Sequence, residues 1–173
     1  DASREDQIKM NNLAAAIYMT SQGIPFVHAG EEMLRSKPDG KGGVVDNSYK
    51  SSDKVNSLKW DNLNDPVYQD AVDYYAGLIA FRKAHPALRM TNAEEVAAHI
   101  TQLPGLDFNV VACHISSGAN GEENQLIVVF NPKAESTAVN LPEGQWDIRI
   151  NGEEAGTRAL ATAEGTVEVA PIS

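Results

Sequence analysis

The spacing of the apolar residues changes near residue 90, and this change constrains the fold more than any other feature of the sequence. Before it, apolar residues recur every three or four positions, which is typical of one buried helix face. From Ala93 onward they alternate with polar residues, as in the run GQWDIRING at residues 144–152, which is typical of strands. The sequence therefore predicts two parts, an α/β part over residues 1–92 and an all-β part over residues 93–173.

A long helix and a buried strand are predicted near the start of the chain. Ser3, with Asp6 three residues later, resembles a capping box, and the apolar face that follows predicts a helix over residues 3–22. Gly23 is a natural stop for that helix. The run IPFVH at residues 24–28 is continuously apolar, as in strands that are buried on both faces of a parallel sheet.

A second long helix is predicted over residues 65–85. Pro66 suits its first turn, and Pro86 ends it. The repeat at three and four positions that predicts this helix comprises Val67, Ala71, Val72, Tyr75, Leu78, Ile79 and Arg82. Tyr74 and Tyr75 are expected to pack inside the protein. Because one strand cannot form a sheet, the order helix–strand–helix predicts a piece of a larger α/β fold.

The all-β part is predicted to be a small antiparallel β-sandwich. About six or seven short strands fit between residues 94 and 172, and roughly 80 residues suffice for such a domain. Its aromatic residues lie at positions that alternate as core, and they are Phe108, Phe130 and Trp146. The single cysteine, Cys113, excludes a disulfide framework and is predicted to be a small buried hydrophobe.

The charge of the chain argues against several classes of partner. The formal net charge is −10, and residues 93–173 hold 3 Lys or Arg against 12 Asp or Glu. Nucleic acids and anionic membranes need a basic surface, so neither is expected as a partner. No apolar run approaches the roughly 20 residues of a membrane span. The N-terminal DASREDQ lacks the charged-then-apolar plan of a signal peptide.

Three ionisable side chains lie at the carboxyl end of the predicted strand, where parallel α/β folds bind ligands: His28, Glu31 and Glu32. They suit a sugar site, a metal site or simple bracing of the loop. Gly30 argues against the helix that would bring His28 and Glu31 onto one metal, so no metal is predicted. In an extended segment Glu31 and Glu32 point to opposite sides, which does not suit the facing carboxylates of a glycosidase.

Longer segments of the chain resemble a known enzyme family. They are SQGIPFVHAGEEMLRSK, NSYKSSDKVNSLKW and VYQDAVDYYAGLIAFRKAHPALR, which look like the end of the barrel in bacterial type I pullulanases of glycoside hydrolase family 13, the α-amylase superfamily. The ending VEVAPIS resembles the last strand of their C-terminal β-domain. The resemblance implies α/β plus all-β architecture: the C-terminal remnant of a (β/α)8 TIM barrel, with IPFVH as strand 8, followed by the antiparallel β-sandwich.

The resemblance also implies an activity, the hydrolysis of α-1,6-glucosidic linkages in pullulan, glycogen and limit dextrin. The family uses an Asp nucleophile, a Glu acid/base and a second Asp, all upstream of the segment that this chain resembles. The chain alone is therefore expected to be an inactive part of a debranching enzyme, with apolar faces that favour self-association. The alternative is a non-catalytic carbohydrate-binding or structural β-sandwich module with accessory helices, although the lone strand favours the enzyme origin.

The loop after the predicted strand supplies the polar and aromatic groups with which proteins bind sugars. The candidate substrate-binding residues are Asn47, Tyr49, Asp53, Asn56 and Arg35. By the resemblance, Asn47 and Tyr49 are the best candidates for contact with a glucan. The competing interpretation is that Asp53 and Asn56 mainly fold the loop, with Trp60 as its apolar anchor.

No catalytic residue and no cofactor are predicted within this chain. The calcium requirement of the longer enzyme is left open by the sequence. The compartment is left open as well, although the resemblance favours an extracellular or cell-surface location in a bacterium over the cytoplasm.

Overall fold

The computed structural model describes residues 2–173, in which four helices and five strands follow one another. The helices are α1 (Arg4–Thr20), α2 (Asp53–Asn56), α3 (Pro66–Ala84) and α4 (Ala93–His99), and the strands are β1 (Ile100–Gln102), β2 (Val111–Ile115), β3 (Leu126–Phe130), β4 (Thr137–Ile148) and β5 (Ala161–Val169). Short 3-10 turns occupy Glu31–Met33, Trp60–Asn64, Pro86–Arg89 and Ala119–Gly121. Within residues 2–173, none of the helices combines the length and apolar character that a membrane crossing requires.

The contacts divide the chain into two compact units. One unit is Val27–Val72, and the other comprises the described residues up to Phe26 together with Asp73–Ser173. The boundary between residues 72 and 73 falls inside α3. The predicted domain boundary between residues 92 and 93 stays a prediction.

The helix predicted at the start of the chain is present. Ser3 is its N-cap, and the Ser3 hydroxyl accepts a hydrogen bond from the backbone N–H of Asp6 at 3.0 Å. The helix ends at Thr20, slightly before the predicted stop, because Ser21 is extended and its hydroxyl donates to the carbonyl of Ile17 at 2.6 Å. A local sequence signal therefore placed the start of α1 correctly.

The strand predicted over residues 24–28 is absent, so this prediction was wrong. The segment has no regular secondary structure, and Ile24 and Phe26 are 98% and 83% exposed. A strand needs a neighbouring strand for its backbone hydrogen bonds and for the burial of its side chains. Residues 24–28 have no such neighbour among residues 2–173, and their apolar character alone does not create one.

The second predicted helix is present as α3 and packs on α1. Pro66 is its first residue, and the helix ends two residues before Pro86. Tyr74 and Tyr75 are buried, as expected, in a cluster with residues of α1 such as Ala15 and Met19. Their packing joins the two long helices by apolar contact.

The all-β prediction for residues 93–173 is right about antiparallel strands and wrong about some details. The five strands form two sheets, one in the order β1-β2-β3 and one of β4 and β5, rather than six or seven strands. Helix α4 was not predicted, although Asn92 caps it by accepting from the N–H of Glu95 at 2.7 Å. The pairing of β4 with β5 shifts register between Asn140 and Gln145.

The two sheets share a small apolar core. Val110, Ala112 and Val139 are buried there, and Val129 and Val167 pack against them. Two residues predicted to lie in the core are not fully buried: Phe108 is 88% exposed, and Cys113 is only partly buried. The prediction for Phe108 was wrong because this residue lies in the turn before β2, where the alternation of a strand does not hold, whereas Cys113 shares its face of β2 with the buried Ile115 and is partly covered.

The long helices also contact the turn that follows β4. The hydroxyl of Tyr74 donates to the carbonyl of Asn151 at 3.0 Å. A Cβ atom at Gly77 would lie 1.9 Å from the carbonyl oxygen of Ala155, so only glycine allows this approach. Burial raises the pKa of the Tyr74 hydroxyl well above its ordinary value, with a smaller effect from Tyr75 in the same direction. Tyr74 therefore serves as an uncharged donor at this joint.

Candidate functional site

Arg35 is held inside the loop of the Val27–Val72 unit. Its guanidinium donates to the carbonyl of Ala29 at 2.9 Å and to the carbonyl of Asn56. The side chain packs tightly on Gly30, where an added Cβ would lie 2.6 Å from Arg35 Cδ. Arg35 thus contributes to the folding of the loop through charge-assisted hydrogen bonds to backbone carbonyls.

Asn56 is the second brace of the same loop. Its amide group donates to the carbonyls of Ser48 at 2.6 Å and Ser51 at 3.0 Å. Ser48 is buried, and its hydroxyl accepts from the ammonium group of Lys37 at 2.7 Å. The side chains of Lys37, Ser48, Asn56 and Arg35 therefore form a hydrogen-bonded frame, which we call the loop frame.

Asn47 and Tyr49 lie on either side of the buried Ser48, and both are exposed. Tyr49 is 75% exposed, and the ammonium group of Lys50 lies 5.4 Å from the centre of its ring. Because the loop frame fixes Ser48, it also fixes the backbone from which the two neighbouring side chains project. The result is an amide and an aromatic ring displayed side by side from a braced backbone, which is the chemistry that sugars require.

Asp53 and Trp60 do not belong to the loop frame. Asp53 is exposed at the start of α2, where its carbonyl accepts from the backbone N–H of Ser57 at 2.8 Å. Trp60 begins a 3-10 turn and is 63% exposed. The expectation that Trp60 anchors the loop as a buried apolar group was therefore wrong, because its ring does not enter a core.

His28, Glu31 and Glu32 do not converge on one point. His28 is exposed, and its carbonyl accepts from the N–H of Glu31 at 3.0 Å. The carboxylate of Glu32 accepts from the N–H of Gly30 at 2.9 Å, so it caps its own turn. Across residues 2–173, no three His, Cys, Asp or Glu side chains come together as metal ligands would.

A small hairpin tip precedes the candidate site. The carboxylate of Asp39 accepts from the N–H groups of Lys41 at 2.7 Å and Gly43 at 3.0 Å, and Pro38 pairs with Val44. The hydrogen bond from the N–H of Lys41 has the largest effect on the pKa of Asp39, and the bond from the N–H of Gly43 has the next largest. Together they hold that pKa below its ordinary value. This aspartate is committed to the turn, and the glycine-rich segment is thus folded rather than free.

Sequence reasoning missed two members of the loop frame, Lys37 and Ser48. Nothing in their spacing distinguishes them from the other serines and lysines of the loop. The weak signal that was available is the position of Ser48 between two candidate sugar-binding residues, since alternate residues of an extended segment face opposite sides. Asn47 and Tyr49 were placed on the exposed side only by the structure.

Comparison with known proteins assigns the chain to a family. Residues 96–154 match the family described as pullulanase, all-beta domain. A pullulanase of Bacillus subtilis (strain 168) is 36% identical over 131 residues, which are 75% of this chain and 17% of that protein. The chain belongs to the pullulanase family. An isoamylase of Flavobacterium sp. is 36% identical over 162 residues, which are 90% of this chain and 17% of the isoamylase.

Solved pullulanase structures match the fold as well. The pullulanase from Bacillus acidopullulyticus superposes with a TM-score of 0.91 at 39% identity over 100% of this chain and 20% of its own. Type I pullulanase from Bacillus subtilis str. 168, complexed with maltose, superposes with a TM-score of 0.85 at 29% identity, over 99% of this chain and 23% of its own. Pullulanase from Anoxybacillus sp. LM18-11, complexed with maltotriose, superposes with a TM-score of 0.80 at 29% identity, over 98% of this chain and 22% of its own. The chain thus spans less than a quarter of these relatives.

Proposed function

We propose that the chain is part of a longer debranching glycoside hydrolase that cleaves α-1,6-glucosidic linkages in pullulan and other branched α-glucans. The observation that carries this proposal is the match to the pullulanase from Bacillus acidopullulyticus, which extends over 100% of this chain while covering 20% of that enzyme. In this interpretation residues 1–92 are the end of a (β/α)8 barrel, and residues 93–173 are a β-sandwich that packs beside it.

The chain's own contribution is part of the wall of the glucan site. Asn47 offers an amide to sugar hydroxyls, and Tyr49 offers an exposed ring to the apolar face of a glucose unit. The loop frame supports this role, because it holds the backbone of both residues in place before any sugar binds. Such preorganisation lowers the entropic cost of binding. Asp53 is a further exposed candidate, whereas Asn56 and Arg35 act through the loop frame.

The chain by itself should not catalyse hydrolysis. Retaining cleavage needs two carboxyl groups that face each other across the scissile bond, roughly 5 Å or more apart. Glu31 and Glu32 are neighbours in one 3-10 turn, and the carboxylate of Glu32 is engaged by the N–H of Gly30. We therefore propose that the catalytic carboxylates belong to other parts of the longer enzyme.

A reducing-sugar assay on pullulan tests this proposal directly. The 173-residue chain and the longer protein that carries it are assayed side by side at matched concentrations. We expect turnover from the longer protein and none from the chain. Turnover by the chain would place the catalytic groups within it, and a longer protein that releases no reducing sugar would contradict the debranching activity.

A second candidate function rests on Phe108. This ring is 88% exposed in the all-β part, as an aromatic residue of a non-catalytic carbohydrate-binding module would be. Affinity electrophoresis in gels that contain branched α-glucan separates the two functions. Retardation of the chain that is lost in Phe108→Ala and kept in Tyr49→Ala would favour the binding module over the debranching site.

A further inference from the structure

Strand β3 has a neighbouring strand on one side only. It pairs with β2, and β4 pairs with β5, so among residues 2–173 one edge of β3 has no partner strand. A cleft of about 1110 Å³ lies beside β3, and every residue from 123 to 130 lines it. Because successive side chains of a strand point to opposite faces, a cleft that all of them reach runs along the edge of the strand. All residues that line the cleft belong to the compact unit that contains the β-strands.

The register of the sheet determines which backbone groups of β3 point into the cleft. In an antiparallel sheet, the N–H and the carbonyl of one residue point to the same neighbouring strand. The carbonyl of Ala112 accepts from the N–H of Leu103 at 2.9 Å, so the backbone groups of Ala112 point toward β1. Val129 is opposite Ala112, and its backbone groups therefore point away from β2 and into the cleft. Those of Ile127, two residues earlier, have the same orientation.

The cleft has an apolar wall on each side of β3. On one face of the strand, Phe130 packs against the helix cluster that contains Tyr74. On the other face, Val129 packs against the cluster that contains Val139 of β4. An extended segment bonded to the edge of β3 would lie between these walls and direct alternate side chains to each. Strands that are buried on both faces are apolar throughout, so the cleft fits an extended apolar strand.

Ser173 already pairs with the residue that follows β3. The N–H of Asn131 donates to the carbonyl of Ser173 at 2.6 Å, and the N–H of Ser173 donates to the carbonyl of Asn131 at 3.0 Å. Two reciprocal bonds define an antiparallel hydrogen-bonded pair. The side-chain amide of Asn131, which is buried, also donates to the carbonyls of Val169 at 3.2 Å and Ala170 at 2.8 Å. A strand that continues from Ser173 in this register would meet the cleft-facing backbone groups of Val129 next.

We propose that the cleft binds an extended apolar strand, which adds to the open edge of β3 in antiparallel orientation, and that the longer protein supplies this strand from the residues after Ser173. This inference rests on the part of the proposed function that makes the chain a piece of a longer protein. The second residue after Ser173 bonds to Val129 and the fourth to Ile127. The added strand gives the open edge of β3 its missing hydrogen-bond partners and removes a surface that would otherwise pair with other chains.

Hydrogen exchange of single amides in the longer protein tests the proposal. We expect the amides of Ile127 and Val129 to exchange at least about tenfold more slowly in the longer protein than in a version truncated after Ser173. The control amides are those of Leu126 and Val128, which face β2 and should be protected in both proteins. Fast exchange of Ile127 and Val129 in the longer protein, or a longer protein that ends at Ser173, would overturn the proposal. Absence of turnover on pullulan would contradict the debranching activity alone.

A synthetic peptide with the sequence of the removed residues identifies the occupant. Added to the truncated protein, it should restore slow exchange of Ile127 and Val129, whereas maltohexaose should not. Protection of these amides that rises with the concentration of the truncated protein, without the peptide, would assign the edge to a second copy of the chain. Protection by maltohexaose and not by the peptide would assign the cleft to a glucan, and either result would overturn the proposal.

If the truncated protein does not fold, proline substitutions in the segment after Ser173 decide, because proline has no N–H to donate. The register directs the N–H of the second residue after Ser173 at Val129. Proline there should speed exchange of the Val129 amide at least about tenfold. The matched control is proline at the first residue after Ser173, whose N–H points away from β3, and it should change that rate by no more than about twofold. Equal effects of the two substitutions would overturn the proposal.

Discussion

The imidazole Nδ1 of His85 lies 3.1 Å from the carboxylate of Glu122, and both side chains are buried. The pair joins the residue after α3 to the segment before β3. Glu122 also accepts from the backbone N–H and from the amide of Asn124, each at 3.0 Å. Although burial alone would raise the pKa of Glu122, these bonds and His85 outweigh it and hold the pKa below the ordinary value.

The pKa of Glu122 predicts an acid-sensitive stability. A carboxyl group whose pKa is lower in the folded protein stabilises the fold above its unfolded pKa of about 4.5, and this contribution is lost as the pH falls through the folded pKa. We expect the melting temperature to fall more steeply below about pH 4.5 in the wild type than in Glu122→Gln. The control is Glu123→Gln at an exposed position, and equal slopes for all three proteins would contradict the prediction.

Removal of the displayed side chains should weaken substrate use by the longer protein. Asn47→Ala would leave a sugar hydroxyl without its buried partner, and Tyr49→Ala would remove an apolar ring from a glucose face, each at a cost of about 1 to 3 kcal/mol. We therefore expect each variant to lower kcat/KM on pullulan roughly ten- to hundredfold. Val44→Ala, at an exposed apolar position of the hairpin tip, is the control and should leave kcat/KM unchanged. An unaffected Tyr49→Ala variant would show that the loop is only structural.

Gly77→Ala should destabilise the protein, although alanine in a helix is normally more stable than glycine by roughly 1 kcal/mol. The added Cβ would collide with the carbonyl oxygen of Ala155. Because the colliding atom is backbone, the helix and the turn must separate, at a cost of about 1 to 3 kcal/mol in the free energy of unfolding. Gly156→Ala, which has open space around it, is the control for urea denaturation. A more stable Gly77→Ala protein would refute the close approach.

The 173-residue chain should self-associate through the segment after α1. Ile24 and Phe26 are among the most exposed apolar residues of the described chain, and contiguous exposed apolar surface favours association. Sedimentation velocity at several concentrations should reveal oligomers in the wild type, and the double variant Ile24→Ser, Phe26→Ser should shift it toward monomer. A wild type that remains monomeric at every concentration would contradict this prediction.

The long helices were predictable because their signals are local. The Ser3 cap and Pro66 at the first turn act within a few residues, and the structure places both where the sequence predicted them. Helix α4 has a local signal too, the cap at Asn92, but the surrounding alternation favoured strands. Segment 24–28 failed for a different reason, since a strand depends on partners that its own residues do not encode.

The candidate site was only partly predictable. The residue types of Asn47 and Tyr49 indicated sugar chemistry, and both side chains prove to be exposed. The bonds from Lys37 to Ser48 and from Asn56 to Ser48 join residues that are eleven and eight positions apart in an irregular loop. No periodicity predicts such contacts, because each depends on the path of the backbone between them.

The register shift between Asn140 and Gln145 separates the length of β4 from the pairing of its two halves. Residues 141–144 lie opposite residue 165 alone, so the extra residues stay unpaired within the irregularity. Beyond the shift, Trp146 and Ile148 are partly buried, whereas Gln145 and Asp147 are exposed. A one-residue deletion within 141–144 can shorten the irregularity while Trp146 stays opposite Ala163. Insertions and deletions are therefore expected to concentrate at these four positions rather than in the paired halves of β4.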